Sequence, residues 1–169
     1  MRCNLVTIDD GVMVSYSAGN IYSAEAAVLI GDIQQELGDD RLSFYPGVGF
    51  RHILTVREGA DLLETIFTAP HDLSDKPVEG ALPVGPGAEL AVSLMERSKG
   101  VLAGHPINRA RVAKGLPPAT HVWVFWPGMR PGEMPTFTSE YDLSAALTSG
   151  VDLLRGLALQ TGVHYLEIP

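Results

Sequence analysis

The stretch CNLVTIDDGVMVSY, residues 3–16, decides how the fold begins. Residues 3–8 and 12–16 are both rich in β-forming side chains, and Asp9-Asp10-Gly11 between them is a hairpin signal. The sequence therefore predicts that the chain opens with two antiparallel strands.

Downstream, the pattern alternates between helix and strand. Ser23 is a good N-cap for an amphipathic helix that Gly38 would end, and strand-like runs follow at 41–45 and 50–57. A second helix is predicted from Pro86 to about residue 103, and the run THVWVFW at 120–126 is strongly β-forming. Residues 59–87 between these elements resemble a loop, and a loop of that length is usually either functional or disordered.

If the second run is the first core strand, the order is β-α-β-β-α-β, the split βαβ or ferredoxin-like order. Asp142 is then expected to cap a third long helix with Leu147 and Leu154 in register, and a last strand is expected at 163–168. The predicted class is α/β (α+β): a ferredoxin-like βαββαβ core with an extra N-terminal strand and a C-terminal α-β unit. Helices should pack mainly on one face of an open sheet.

Composition excludes several classes of protein. Apolar residues make up 46% of the 169 residues, enough to bury a core, and the formal net charge of -8 argues against a general nucleic-acid binder. The lone cysteine, Cys3, excludes an intrachain disulfide framework. No apolar run reaches the roughly 18 residues of a membrane span. We expect a cytoplasmic protein with neither a nucleic-acid nor a membrane partner.

Motifs for stand-alone catalysis are missing from the sequence. None of the five histidines forms an HExxH pair, and there is no HxH, DxD, GxSxG or P-loop pattern. We therefore predict no catalytic residue, no metal ligand and no cofactor within this chain.

Three groups of polar residues are candidates for binding. His71-Asp72 follows Pro70 in the long loop, where the histidine could contact an anionic substrate; the alternative is that Asp72 caps a turn and His71 is merely solvated. Arg51 and His52 are adjacent in a strand, so their side chains face opposite sides and one of them should be structural.

Arg111 belongs to the third group, a short basic segment with Arg109 and Lys114. Guanidinium groups suit phosphate or carboxylate, although from the spacing alone a solvated helix face is the favoured explanation of such a segment. Trp123, Phe125 and Trp126 favour core and edge packing over a stacking platform, because their neighbours are apolar and β-branched.

Short motifs spread along the chain, in a fixed order, give it a family resemblance. The chain resembles the archaeal-type, cofactor-independent (2,3-bisphosphoglycerate-independent) phosphoglycerate mutases. The matching stretches are Arg2–Thr7, Tyr16–Gly19, Tyr45–Val48 with Arg51-His52, Pro70–Asp72 with Lys76-Pro77, Met95–Ser98, His105–Asn108 with Arg111, Gly115 and Pro118-Ala119, and Val151–Leu153 with Gly156. One departure stands at 123–128, where the family usually has W-L-W-G-x-G and this chain has Trp-Val-Phe-Trp-Pro-Gly.

The resemblance implies an alkaline phosphatase-like enzyme whose metal-binding domain is split by an inserted, substrate-binding domain. The serine nucleophile and the divalent metal (Mn, Mg or Zn) would lie in the metal-binding domain, which this chain does not match. Residues 1–169 are accordingly expected to be a single inserted domain of a larger metalloenzyme, inactive when isolated. Its partners would be phosphoglycerate and the metal-binding domain, and the enzyme would be an isomerase of glycolysis and gluconeogenesis.

Eight residues are nominated for substrate binding by this resemblance and the motifs, and they should include a group that converges on one face, the face turned toward the metal-binding domain. They are Arg2, Asn4, Arg51, His52, His71, Asp72, Lys76 and Arg111. The alternative function is a non-catalytic ligand-binding or interaction module, because a ferredoxin-like scaffold hosts many activities.

Overall fold

Two units make up the chain in the computed structural model, which describes residues 1–129, 131–150 and 152–167. The first unit is Met1–Gly128 and the second is Met129–Pro169.

The sheet of the first unit has five strands. They are β1 (Arg2–Asp9), β2 (Val12–Ser15), β3 (Leu42–Tyr45), β4 (Arg51–Val56) and β5 (His121–Phe125). β1 is central: one of its edges pairs with β5, and the other pairs with β4 near the start of β1 and with β2 near its end. β3 completes the sheet beside β4, and all of these pairings are antiparallel.

Four helices belong to the first unit: α1 (Ser23–Leu37), α2 (Ala60–Leu63), α3 (Ala88–Leu102) and α4 (Pro106–Ala113). α1 packs against β3 and α3 against β5, and the two helices contact each other, so they cover one face of the sheet. Leu29, Ile30 and Ile33 of α1 and Leu94 of α3 are fully or almost fully buried there. The predicted mixed class, with helices on an antiparallel sheet, is confirmed.

Across the sheet, the ferredoxin-like core strands lie in the order β3-β4-β1-β5. Along the chain, the first strand of this core is β1, whereas the sequence pattern suggested β2. β2 is the additional strand, and it follows β1 instead of preceding the core. The reason is length and burial. Residues 3–7 of β1 are all buried, whereas β2 has four residues, pairs within the sheet only with the end of β1 and leaves Val14 exposed.

The long segment predicted as a loop is ordered by short elements. It contains α2, two single-turn 3₁₀ helices at Pro70–Leu73 and Glu79–Ala81, and two isolated bridges, Val12 to Pro77 and Ile66 to Val84. These bridges and turns place Pro70–Leu73 at a defined position.

The second unit contains α5 (Phe137–Tyr141), β6 (Ala146–Leu147), α6 (Asp152–Thr161) and β7 (His164–Tyr165), with β6 and β7 parallel. The prediction of one long helix starting at Asp142 is wrong. Asp142 has a left-handed backbone (φ 51°) and ends α5, because its N–H donates to the carbonyl of Thr138. The last strand is shorter than the predicted 163–168, and residue 168 lies outside the described residues.

None of the helices in the described ranges is both long enough and apolar enough to cross a membrane.

Candidate functional site

Two arginines on neighbouring strands share one face of the sheet. Asn4 of β1 is directly opposite Arg51 of β4, and directly opposite residues of an antiparallel pair point to the same side. Arg2, two residues before Asn4 on the same strand, points to that side as well. Along β4, Arg51, Ile53 and Thr55 are exposed, so this face is open to solvent there.

Neither guanidinium has a hydrogen-bond or ion-pair partner among the described residues. In the described part of the chain, no carboxylate forms an ion pair with Arg2 or Arg51, and no carbonyl accepts a hydrogen bond from either side chain. Partial burial, and secondly the positive charge of Arg51, lower the pKa of Arg2. The positive charges of Arg2 and Arg51 together generate a local positive potential in a chain whose net charge is -8.

Aromatic rings support both cations. The Arg51 guanidinium lies 4.1 Å from the ring centroid of Phe50, and that of Arg2 lies 5.0 Å from Phe125 and 5.2 Å from Trp126. These distances are within the range of cation–π attraction. The rings thus hold both arginines, while their N–H groups have no acceptor in the part of the chain that the structure describes.

His71 joins the same cluster from the long loop. Its imidazole packs edge-on against Trp126 at 5.5 Å, Phe125 at 6.2 Å and Tyr16 at 6.4 Å between centroids. Tyr16 in turn packs against Phe50 at 5.8 Å. His71 is exposed, and it contacts the two rings, Phe125 and Trp126, that also lie against Arg2.

Asn4 lies on the same sheet face, and its side-chain oxygen has no hydrogen-bond partner among the described residues. It is almost fully buried; its Nδ2 donates a long hydrogen bond of 3.4 Å to the carbonyl of Tyr16, while its Oδ1 has no partner among the described residues. A buried polar atom without a partner is costly, and such atoms often face a ligand or an ordered water.

His52 faces away from this cluster. It pairs with Cys3 in the sheet and shares the opposite face, where it is 2% exposed. Its Nδ1 accepts a hydrogen bond of 3.1 Å from the N–H of Gly47, and burial lowers its pKa to about 4. The neutral ring of His52 is therefore part of the packed interior, as strand alternation predicted for one member of the Arg51-His52 pair.

Asp72 and Lys76 are exposed neighbours of His71 that hold the loop together locally. The ammonium of Lys76 donates to the backbone carbonyl of Asp72 at 2.8 Å. The Asp72 carboxylate forms no ion pair in the part of the chain that the structure describes.

Arg111 is buried away from the open face. All three of its nitrogens donate to protein: Nε to the carbonyl of Pro117, Nη1 to the carboxylate of Glu25 and Nη2 to the carbonyl of Ala18. With 1% exposure, it is an internal clamp between α4, α1 and the turn after β2.

The structure therefore brings Arg2, Asn4, Arg51 and His71 together and separates His52 and Arg111 from them. We call Arg2, Arg51 and His71, with the rings of Tyr16, Phe50, Phe125 and Trp126, the cationic cluster. The aromatic members were missed from sequence because apolar rings in a β run look like core. Trp126 could have been found, since it stands at the one place where the chain departs from the family pattern.

A cavity of about 900 Å³ lies elsewhere in the first unit, and none of the eight residues predicted to bind substrate lines it. Its charged lining is mixed, with Asp9, Asp10 and Glu96 beside Lys99 and Arg109. Because acidic side chains there would repel an anion, the cationic cluster is the better candidate for a phosphorylated ligand.

Within residues 1–129, 131–150 and 152–167, no three His, Cys, Asp or Glu side chains are close enough together to hold a metal ion. Burial raises the pKa of the Cys3 thiol to about 12, so this thiol is not a reactive nucleophile.

Known proteins resemble this chain over nearly its whole length. The profile of a family described as 2,3-bisphosphoglycerate-independent phosphoglycerate mutase matches residues 1–108. Curated proteins of that name from Methanosarcina barkeri and Methanosarcina acetivorans are each 41% identical to this chain, over 167 and 169 residues respectively. They match 99% of this chain, but the chain spans only 42% of their length.

Among solved structures, a cofactor-independent phosphoglycerate mutase from Thermoplasma acidophilum has a similar fold. Its TM-score is 0.62 at 24% identity, and the match covers 99% of this chain and 46% of that one.

Proposed function

Because the chain belongs to the 2,3-bisphosphoglycerate-independent phosphoglycerate mutase family, we propose that it supplies the substrate-binding part of such an enzyme. The reaction of that enzyme would be the interconversion of 3-phosphoglycerate and 2-phosphoglycerate. The remainder of that enzyme, including its nucleophile and its divalent metal, would come from the part of the protein that this chain does not span. Whether residues 1–169 act there as one inserted domain stays a prediction.

One observation carries the proposal: Arg2 and Arg51 lie on the same open sheet face without a carboxylate partner among the described residues. A phosphoglycerate has two anionic ends, a phosphate and a carboxylate, and a planar guanidinium can donate two parallel hydrogen bonds to either. In an acidic chain, two neighbouring arginines without a carboxylate partner among the described residues form a site suited to an anion.

The chemistry of phosphoryl transfer fits such a site. The reaction depends on positioning and on neutralising charge more than on covalent help from many residues. The cationic cluster would hold the glycerate while the phosphoryl group moves between its hydroxyl groups. His71, exposed beside the arginines, can donate a hydrogen bond to a substrate oxygen or accept one from a hydroxyl.

Calorimetric titration of the chain with 3-phosphoglycerate tests the proposal. We expect Arg51→Ala to weaken binding by about tenfold or more, because one charge-assisted contact contributes about 1.5–3 kcal/mol. Arg97→Ala is the matched control, since Arg97 is an exposed arginine on α3 with no ion pair in the described residues. Equal affinity of the Arg51→Ala and Arg97→Ala variants would overturn the proposal.

A further inference from the structure

We propose that Trp126 is a positioning residue of the cationic cluster, whose indole face holds the Arg2 guanidinium with its N–H groups free to bind the substrate anion. The inference rests on the proposed function and adds a residue that the family resemblance does not nominate.

The backbone at Trp126 is the first observation. Its φ is 44°, in the left-handed region that bulky side chains rarely adopt and that glycine adopts freely. A residue held there despite the strain usually has a role at that place. Trp126 is 51% exposed, so burial of its ring offers little reason for the strain.

The direction of the side chain is the second observation. In a continuing strand, residues 125 and 126 would point to opposite faces of the sheet. The left-handed turn instead brings the Trp126 ring beside the Phe125 ring, with centroids 5.1 Å apart. Both rings therefore lie on the face that carries Arg2 and Arg51.

The contacts of the indole are the third observation. Trp126 lies 5.2 Å from the Arg2 guanidinium and 5.5 Å from the His71 imidazole, so it touches a member of the cationic cluster from β1 and another from the long loop. A carboxylate in this position would also hold Arg2, but it would occupy the N–H groups and cancel the charge. An aromatic face attracts the cation without accepting its in-plane hydrogen bonds.

Three substitutions separate this role from simple packing. Trp126→Phe keeps an aromatic face, Trp126→Leu keeps apolar bulk without one, and Trp126→Gly removes the side chain at a backbone conformation that glycine tolerates. We expect Leu and Gly to weaken 3-phosphoglycerate binding about three- to tenfold, and Phe to weaken it less than twofold. Urea midpoints measured by circular dichroism should stay close to that of the unmodified chain for all three variants.

Fluorescence gives a second readout, because the chain has two tryptophans. Trp123 is buried and its indole N–H donates to the carbonyl of Thr68, whereas Trp126 is half exposed at the proposed site. Adding 3-phosphoglycerate should change the emission of the unmodified chain and leave that of Trp126→Phe unchanged.

The outcomes distinguish the two proposals. If Arg51→Ala weakens binding but Trp126→Leu and Trp126→Gly bind as tightly as the unmodified chain, this inference is overturned and the proposed function stands. An emission change that persists in Trp126→Phe also contradicts it. If the unmodified chain binds no 3-phosphoglycerate, both proposals are overturned.

Discussion

The Nη2 atom of Arg111 donates a hydrogen bond of 2.6 Å to the carbonyl oxygen of Ala18, a residue 93 positions earlier in the chain. Ala18, Gly19 and Asn20 all have positive φ, so this turn is irregular and needs support from outside itself. The turn directly follows Tyr16, which packs against His71 and Phe50. Arg111 thus supports the cationic cluster from within the fold and does not line its surface.

We therefore expect Arg111→Met to reduce the free energy of unfolding by about 3 kcal/mol, because it leaves Glu25 and two carbonyl groups without their donor. Urea denaturation of the chain measures this. Arg97→Ala, at an exposed arginine, should change stability by no more than about 0.5 kcal/mol. If Arg111→Met unfolds at the same urea concentration as the unmodified chain, the clamp described above contributes nothing to stability.

How far sequence patterns predict this structure depends on how local their causes are. The apolar spacing between Ser23 and Gly38 predicted α1 with nearly correct bounds, because helical periodicity is a local property. The predicted Ser23 cap is wrong: the N-cap is Tyr22, without a side-chain cap hydrogen bond, and the Ser23 hydroxyl instead accepts a hydrogen bond from the N–H of Gly49, a contact that the local pattern cannot reveal. The identity of the additional strand required knowledge of pairing: β1 is central because it pairs with β4 and β5, which are distant in sequence. The helix expected from Asp142 failed because a left-handed residue ends α5 there.

The cationic cluster was predicted only in part for the same reason. Strand alternation correctly indicated that Arg51 and His52 face opposite sides, but it could not say which of them is buried. Arg111 looks like a phosphate ligand in sequence, and only the three-dimensional path of α1 and the turn at Ala18 shows its internal partners. The position of the Trp126 ring depends on a positive φ that no propensity scale assigns to tryptophan.

The chain alone should show no phosphoglycerate mutase activity. No group of three metal-ligating side chains exists in its described residues, and its only thiol is buried with a raised pKa. An assay that couples 2-phosphoglycerate formation to enolase, with added manganese, measures this. If the chain forms 2-phosphoglycerate faster than the assay mixture without protein, the proposal that the nucleophile and the metal lie outside this chain is contradicted.

Stability should fall as the solution becomes acidic, partly because of His52. Burial lowers the pKa of His52 in the folded chain from its usual value of 6.5 to about 4, so the unfolded chain binds a proton in this range before the folded one does. Well above pH 6.5 His52 is neutral in both the folded and the unfolded chain, so it does not change the free energy of unfolding there. Between pH 6.5 and 4, His52 should reduce the free energy of unfolding by up to ~1.4 kcal/mol per pH unit, about 3 kcal/mol in all.

His52→Asn isolates this contribution. The asparagine cannot titrate, and its side-chain oxygen can accept the hydrogen bond that Gly47 donates to Nδ1 in the native chain. Urea unfolding at pH 7, 6, 5 and 4 should show a shallower decline in the variant. Part of the decline should persist, because burial also lowers the pKa of His121. Parallel pH profiles for the two proteins would show that His52 charges as easily in the folded state as in the unfolded chain.

Replacing His71 should affect binding and leave the fold intact. His71 is exposed and touches other residues mainly through ring edges, so His71→Ala should lower the free energy of unfolding by less than about 1 kcal/mol. We expect its affinity for 3-phosphoglycerate to fall about tenfold, the value of one hydrogen bond to a charged group. His71→Phe is the informative partner variant, because it keeps an aromatic ring against Tyr16 and Trp126 but removes both ring nitrogens. If the imidazole binds the substrate directly, the phenylalanine variant should bind as weakly as the alanine variant in the same calorimetric titration. Affinity restored by phenylalanine would instead mean that His71 serves only to pack the rings of the cationic cluster.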